Sequence, residues 1–380
     1  MNRRFFFTNS LKGALGVTIS GGLMSCVAKK KQQKKDQESA AFIDRILPAP
    51  KNGGFRDDNY WIWGSSVIKG EDGRYHMFAS RWSMEVGFGN WVSNSEVVRA
   101  VSDSPIGPYS FEEVVLPPRG PDYFDGMCTH NPRIIKYKNK YLLYHFGNTY
   151  NFPMPTREKP DMTKEQWEAA WMNKRIGLAI SDSVYGPWER GDKPVIEPRP
   201  GHWDASITSN PAPAVDLKTG KILLMYKSST VGLTPPLLLG VSIADSPRGQ
   251  YRRLSEEPIF RFETRENHRI DVEDPYIWWN GELYEAIVKD RSGEICGEEG
   301  GGVHCWSKDG VKWELFEKVQ AYGRNILWED GTRTQQNHFE RPFLLVEDGK
   351  PTHLFAAVGE GPKAWSFKNT WNMVIPLKHS

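Results

Sequence analysis

Little in this sequence points to nucleic acid, to metal or to a disulfide framework. The formal charge of the 380 residues is only +2, so no excess of Lys and Arg is available to neutralise a phosphate backbone. Cysteine is scarce at 4, and setting Cys26 aside as a processing residue leaves Cys128, Cys296 and Cys305, an odd number. A complete disulfide framework within one chain is thereby excluded; Cys296 and Cys305 either pair across a hairpin or remain thiols. No spacing among them resembles a zinc site. Beyond the N-terminus no apolar run approaches the roughly 20 residues that span a bilayer. Aromatic residues, by contrast, are abundant at 12%, with 15 Trp. A tryptophan surplus marks binding surfaces as well as cores. With 39% hydrophobic and 25% charged residues the composition suits a soluble globular chain with a substantial core.

The first 40 residues read as targeting rather than fold. Arg3-Arg4 precede Phe5-Phe6-Phe7 and a mildly apolar stretch from Leu11 to Met24, a pattern that resembles a twin-arginine export signal. Leu23-Met24-Ser25-Cys26 resembles a bacterial lipobox, in which Cys26 is lipidated; an ordinary secretory signal containing a Cys is the alternative. Residues 1–26 are therefore expected to be an export signal. Residues 27–40, rich in Lys, Gln and Ser, are expected to be a flexible tether that includes the local basic run Lys29–Lys35. The expected location is the cell envelope, periplasmic or at the cell surface. The membrane would be touched only through the lipid anchor.

Residues 41–380 carry an internal repeat, and the repeat predicts the architecture. Five segments share a polar residue, usually followed by Pro, then an apolar run, a turn and a second apolar-aromatic run. They begin at Gly64, Asn131, Asn210, Asp274 and Arg341, spaced by 67, 79, 64 and 67 residues. Each reads as a β-hairpin around a short Gly-, Asp- or Asn-bearing turn. A third strand follows in most units, as in RAVSDSPIGPYSF and IGLAISDSVYGPWER. Short antiparallel strands repeated at this interval predict an all-β chain closed as a five-bladed β-propeller. The terminal TWNMVIPLK is expected in the last blade, with residues near 41–48 closing the ring. One helical insertion, residues 161–174, is expected at a rim, either as a surface excursion or as the wall of a pocket.

A propeller offers a central funnel as its natural site, and the five repeat starts converge there. That ring is polar: Gly64, Asn131, Asn210, Asp274 and Arg341, preceded by Glu273 and Glu340 in the last two blades and by His130 in the second. A second register places Asp58, Asp125 and Asp204 seven residues before Ser65, Pro132 and Pro211. Each of these Asp residues either caps a turn or faces a substrate. Convergent carboxylates in an aromatic-rich funnel suit glycoside cleavage. One carboxylic acid must protonate the leaving oxygen while a carboxylate activates water or attacks the sugar.

These residues carry a resemblance. Glu340-Arg341-Pro342 is similar to the Glu-Gly-Pro element that holds the general acid in family 43 glycoside hydrolases. Glu273-Asp274-Pro275 resembles the Asp-Pro strand starts of that family and the Glu-Asp-Pro element of the mannoside phosphorylase family 130. His338-Phe339-Glu340 is similar to family 117, in which a His near the catalytic Glu participates. The resemblance implies a five-bladed glycoside hydrolase but does not carry the substrate over; the expected activity is exo-acting hydrolysis of a plant or algal oligosaccharide. Under it Glu340 is the general acid and Asp274 the base or pKa-tuning carboxylate, with Asp58, Asp125 and Asp204 next as base or sugar ligands. His130, Asn131, Asn210, Glu273, His338 and Arg341 become substrate-binding candidates. The departures are Gly64-Ser65, Asn131-Pro132 and Asn210-Pro211, none of which offers a base. They keep open a glycoside phosphorylase, or a sugar-binding propeller without catalysis. No cofactor is expected; a structural Ca²⁺ in the funnel is compatible with the pattern, and nothing in the sequence demands one.

Overall fold

The computed structural model describes residues 41–230, 237–260, 271–362 and 365–378. The export signal, Cys26 and the tether lie outside the described residues. Five antiparallel sheets follow one another along the chain. The first contains β1 (Tyr60–Lys69), β2 (Tyr75–Ser83), β3 (Glu96–Ser102) and β4 (Ser110–Leu116). The second contains β5 (Cys128–Tyr137), β6 (Lys140–Asn148), β7 (Arg175–Ser181) and β8 (Glu189–Arg190). The third contains β9 (Ser209–Val215), β10 (Ile222–Ser228), β11 (Leu238–Ala244) and β12 (Arg252–Arg253). The fourth contains β13 (Val272–Trp279), β14 (Tyr284–Asp290), β15 (Gly302–Ser307) and β16 (Glu314–Tyr322). A small hairpin of β17 (Asn325–Leu327) and β18 (Arg333–Gln335) precedes the fifth sheet of β19 (Glu340–Glu347), β20 (Lys350–Glu360) and β21 (Asn369–Pro376).

The first strand of each sheet touches the first strand of the next, and β19 touches β1, so the ring closes as the repeat predicts. Closure at the outer edge is made by the segment before β1. Ile46 bridges Leu377, and Phe55 bridges Asn372 with backbone bonds in both directions at 3.0 Å. The chain's start therefore supplies the edge of the blade formed by its end. Phe55 is fully buried there, which contributes about 1.5–3 kcal/mol.

The innermost strands begin before the repeated polar residue, not at it. Gly64, Asn131, Asn210, Asp274 and Arg341 all have φ between +50° and +55° and mark a bulge inside the strand. In all five blades the ladder skips the bulged residue and the next one: pairing jumps from Trp63 to Ser66, His130 to Arg133, Ser209 to Ala212, Glu273 to Tyr276 and Glu340 to Phe343. The skipped second residue is Ser65, Pro132, Pro211, Pro275 or Pro342. Proline fits because a bulge leaves an N–H with no ladder partner. The repeated Pro is thus a bulge marker.

The insertion in blade two contains a helix, Lys164–Met172, between β6 and β7. Its capping box explains why it starts there: Gln166 N–H donates to Thr163 Oγ1, and Thr163 N–H donates to Gln166 Oε1. The helix buries Trp171 and Ala170 against Val92, Tyr150 and Ile207, so it is a wall rather than a surface excursion. The three described cysteines are thiols, and Cys296 and Cys305 are not bonded to each other.

Candidate active site

The bulges aim five backbone positions at the propeller axis, and four side chains there form a buried hydrogen-bonded arc. Asn131 Nδ2 donates to Asn210 Oδ1 at 3.1 Å, and Asn210 Nδ2 donates to Asp274 Oδ1 at 2.6 Å. Arg341 closes the arc from the other side, its backbone N–H donating to Asp274 Oδ2 at 3.0 Å and its Nη1 to Oδ1 at 3.3 Å. The fifth position has no room for a side chain. A Cβ on Gly64 would lie 2.6 Å from Asn131 Oδ1 and 3.5 Å from the Arg341 side chain. This is why blade one offers no carboxylate.

Above the arc stand two glutamates joined by a lysine. Glu273 and Glu340, each just before a bulged residue, flank Lys289 Nζ at 3.2 and 2.6 Å. Glu273 also takes Lys227 at 2.9 Å and Arg291 at 3.3 Å. Burial alone would raise the Glu340 carboxyl. The Lys289 charge and the bond from His338 outweigh it and hold the group at about 2. Glu273 is likewise held well below the usual range by Lys227, Lys289 and Arg291 against its burial. Both glutamates are therefore ionised near neutral pH. His338 Nδ1 lies 3.0 Å from Glu340 Oε1, and with that oxygen ionised the ring donates from Nδ1. Its Nε2 is buried without a partner among the described residues.

Glu273, Glu340, Lys227 and Arg291 line a cavity of about 320 Å³ with Asp274 and Arg341, and much of its remaining wall is aromatic. Trp63, Trp82 and Phe88 come from blade one, Trp167 and Trp171 from the helix, and Trp365 from the loop before β21. Trp365 is 57% exposed at the rim, its ring 4.3 Å from His338. A second cavity of about 370 Å³ shares Glu273, Arg291, Glu340 and Trp365 with the first and includes His338 and Lys289. Polar groups on the floor and one side with indole faces opposite make a surface suited to a sugar ring, which has hydroxyl edges and an apolar face. His130, Asn131 and Asn210 also line the first cavity. No group of His, Cys, Asp or Glu with metal-holding geometry occurs among the described residues.

Three expected site residues are not brought to the funnel. Asp58 is exposed, on the loop leading into β1. Asp125 is fully buried away from the cavity, between Arg119 at 2.8 Å, Arg190 at 2.7 Å and His145 at 2.9 Å. Asp204 repeats that arrangement one blade on, with Arg199 at 2.9 Å, Arg253 at 2.6 Å and the Tyr226 hydroxyl at 2.9 Å. Their oxygens are taken up in tying loops to the outer strands. The shared Asp register reports this loop anchor, which corrects the expectation that these residues face substrate.

No family model matches the sequence, and no curated protein matches it either. Among solved structures, the chain is similar to Zg3597, a family 117 glycoside hydrolase of the marine bacterium Zobellia galactanivorans. The identity is 17%, with 88% of each chain covered and a TM-score of 0.57. BT0996, solved as an RGII complex, gives 13% identity over 92% of this chain and 96% of that one, with a TM-score of 0.61. A thermostable family-43 glycoside hydrolase gives 13% identity, 88% and 93% coverage and a TM-score of 0.53. The likeness is one of fold: this chain has the five-bladed propeller found in glycoside hydrolases of families 117 and 43.

Sequence reasoning missed the lysines. Lys227 and Lys289 sit directly across the ladder from Ser209 and Glu273, the residues just before two bulges. Aligning second strands as well as first strands would have exposed both. Lys174, Trp167 and Trp171 arrive from an insertion with no counterpart in the other repeats, so no alignment could have found them.

Proposed function

We propose that the chain hydrolyses a glycosidic bond held in the funnel, exo-acting on a plant or algal oligosaccharide. The observation that carries this reading is the convergence of Asp274 and Glu340 on one tryptophan-walled cavity, with His338 bonded to Glu340 and lining the adjoining cavity that shares Glu340 and Trp365. The cavity is small, which favours one sugar at a chain end over a strand passing through. The Glu340 carboxyl is ionised at rest, so its role differs from the proton donor that the sequence suggests. It accepts from His338 Nδ1 and orients the ring, and the Glu340–His338 pair delivers the proton to the leaving oxygen. Asp274, at the floor, is the carboxylate that activates water or attacks the anomeric carbon. Glu273 is engaged by three cations and positions Lys289.

Replacing Glu340 by Gln keeps shape and removes the charge. In the E340Q chain, release of reducing ends from pooled plant and algal oligosaccharides should fall at least about 100-fold in kcat/KM, the lower end for loss of acid–base catalysis. Its melting temperature should stay within a few degrees of wild type. Wild-type rates in E340Q would overturn the assignment. The lock of Lys289 between two ionised glutamates favours a second reading, a sugar-binding propeller without turnover. Saccharide binding with no product from the wild-type chain would support that instead.

A further inference from the structure

Among the described Lys and Arg residues that line the first cavity, one has no carboxylate partner. Glu273 takes Lys227, Lys289 and Arg291; Glu340 takes Lys289; Asp274 takes Arg341; Asp271 takes Arg291. Lys174, the second residue past the end of the wall helix, is 1% exposed and lines the cavity. Among the described residues no carboxylate lies within 4 Å of its ammonium, which stands over aromatic rings. The Trp171 centroid is 3.7 Å away, those of Trp91 and Phe146 5.4 and 5.5 Å. Ring faces compensate a buried ammonium only in part.

Two further donors are unmet in the same cavity. Arg341, also 1% exposed, spends Nη1 on Asp274, while its Nε and Nη2 are buried with no partner. His130 holds Ser95 Oγ with Nδ1 at 2.7 Å and lines the cavity with the rest of its ring. Burial and the charges of Arg341, Lys174 and Lys227 press this imidazole well below its usual range, so it is neutral. Unpaired buried cations beside a neutral ring make a surface short of acceptors, where a neutral sugar hydroxyl leaves the charge uncompensated.

We propose that Lys174, Arg341 and His130 form an oxyanion subsite in the funnel, so that the sugar recognised is acidic and carries a carboxylate or a sulfate ester. Arg341 lines the cavity beside its bond to Asp274, and Lys174 adds a point charge to the same lining. This rests on the reading of the funnel as a sugar site. It names the chemical class of that sugar.

The subsite has a signature that packing alone does not produce. Burial, with the Lys227 charge, pushes the Lys174 ammonium well below its usual range, against partial support from Glu273, Cys128 and Asp274. An anion arriving beside it restores the charged form, so binding takes up a proton in the pH range where free Lys174 is neutral. Calorimetric titration of galacturonate, glucuronate, galactose 6-sulfate, galactose and inorganic phosphate into the E340Q chain, in buffers of different ionisation enthalpy, reads affinity and proton uptake together. Acidic sugars should bind on the order of tenfold to a hundredfold tighter than galactose, with proton uptake, and the uronate and sulfate arms report which oxyanion fits better. Lys174→Met should remove most of that preference and the uptake. Its melting temperature should not fall, because an unpaired buried charge has been removed.

Equal binding of acidic and neutral sugars, or an unchanged preference in Lys174→Met, would overturn the proposal. So would phosphate binding as tightly as any sugar. Because the readout is binding, hydrolysis of neutral glycosides with no acidic preference sinks the subsite alone. Acidic-sugar binding with no hydrolysis by wild type sinks the hydrolase reading alone.

Discussion

Four of the five ring positions hold side chains in a left-handed backbone conformation that asparagine and aspartate tolerate better than most residues. Asn131, Asn210 and Asp274 follow that preference, and each returns a hydrogen bond to the arc. Arg341 does not, and its conformation is held by two bonds to Asp274. Gly64 is constrained twice, by φ of +50° and by Asn131 Oδ1 standing where a Cβ would go. Gly64→Ala should therefore cost about 1–3 kcal/mol in denaturant unfolding and loosen the floor of the funnel. A change below about 0.5 kcal/mol would show that the ring is more pliant than its geometry indicates. Ring residues were legible in the sequence because each is followed by the same strand pattern. Their roles were less so, since the sequence tells Asp from Asn but not which ring side chain bonds to which.

At the scale of elements, the helix Lys164–Met172 converts a bare funnel into a walled cavity. Trp167 reaches across to blade one, its Nε1–H donating to Gly89 O at 3.1 Å and its ring lying 5.9 Å from Trp91. Trp167→Ala should raise KM roughly fivefold to tenfold, the range expected for losing one aromatic contact, with kcat little changed. A fall in kcat with KM unchanged would instead mean that the helix shapes the reacting geometry. The helical insertion was readable from the sequence of residues 161–174, but not the direction it faced. That direction is set by Ala170 and Trp171 packing on Val92, Tyr150 and Ile207, contacts between segments far apart in the chain. The Asp58, Asp125 and Asp204 register misled for a related reason. A repeated carboxylate reads the same whether it meets a sugar or two arginines, and only the latter occurs at Asp125 and Asp204.

For the molecule as a whole, closure depends on a few residues before β1. Phe55 is 1% exposed and pairs with Asn372 in the last blade. Phe55→Ala should lower the unfolding free energy by about 3–5 kcal/mol. An effect under about 1 kcal/mol would mean that the ring is held by its inner strands alone. An intact ring matters for chemistry because the site has no single owner. Glu340 and His338 come from blade five, Glu273, Asp274 and Lys289 from blade four, Lys227 from blade three, and His130 and Lys174 from blade two. The most direct measurement of the central claim is a crystal structure of the E340Q chain soaked with the pooled plant and algal oligosaccharides. The account predicts a sugar between the tryptophan wall and Asp274, with its glycosidic oxygen within hydrogen-bond reach of the Glu340→Gln side chain or His338. A sugar bound elsewhere on the propeller, with the funnel empty, would contradict it.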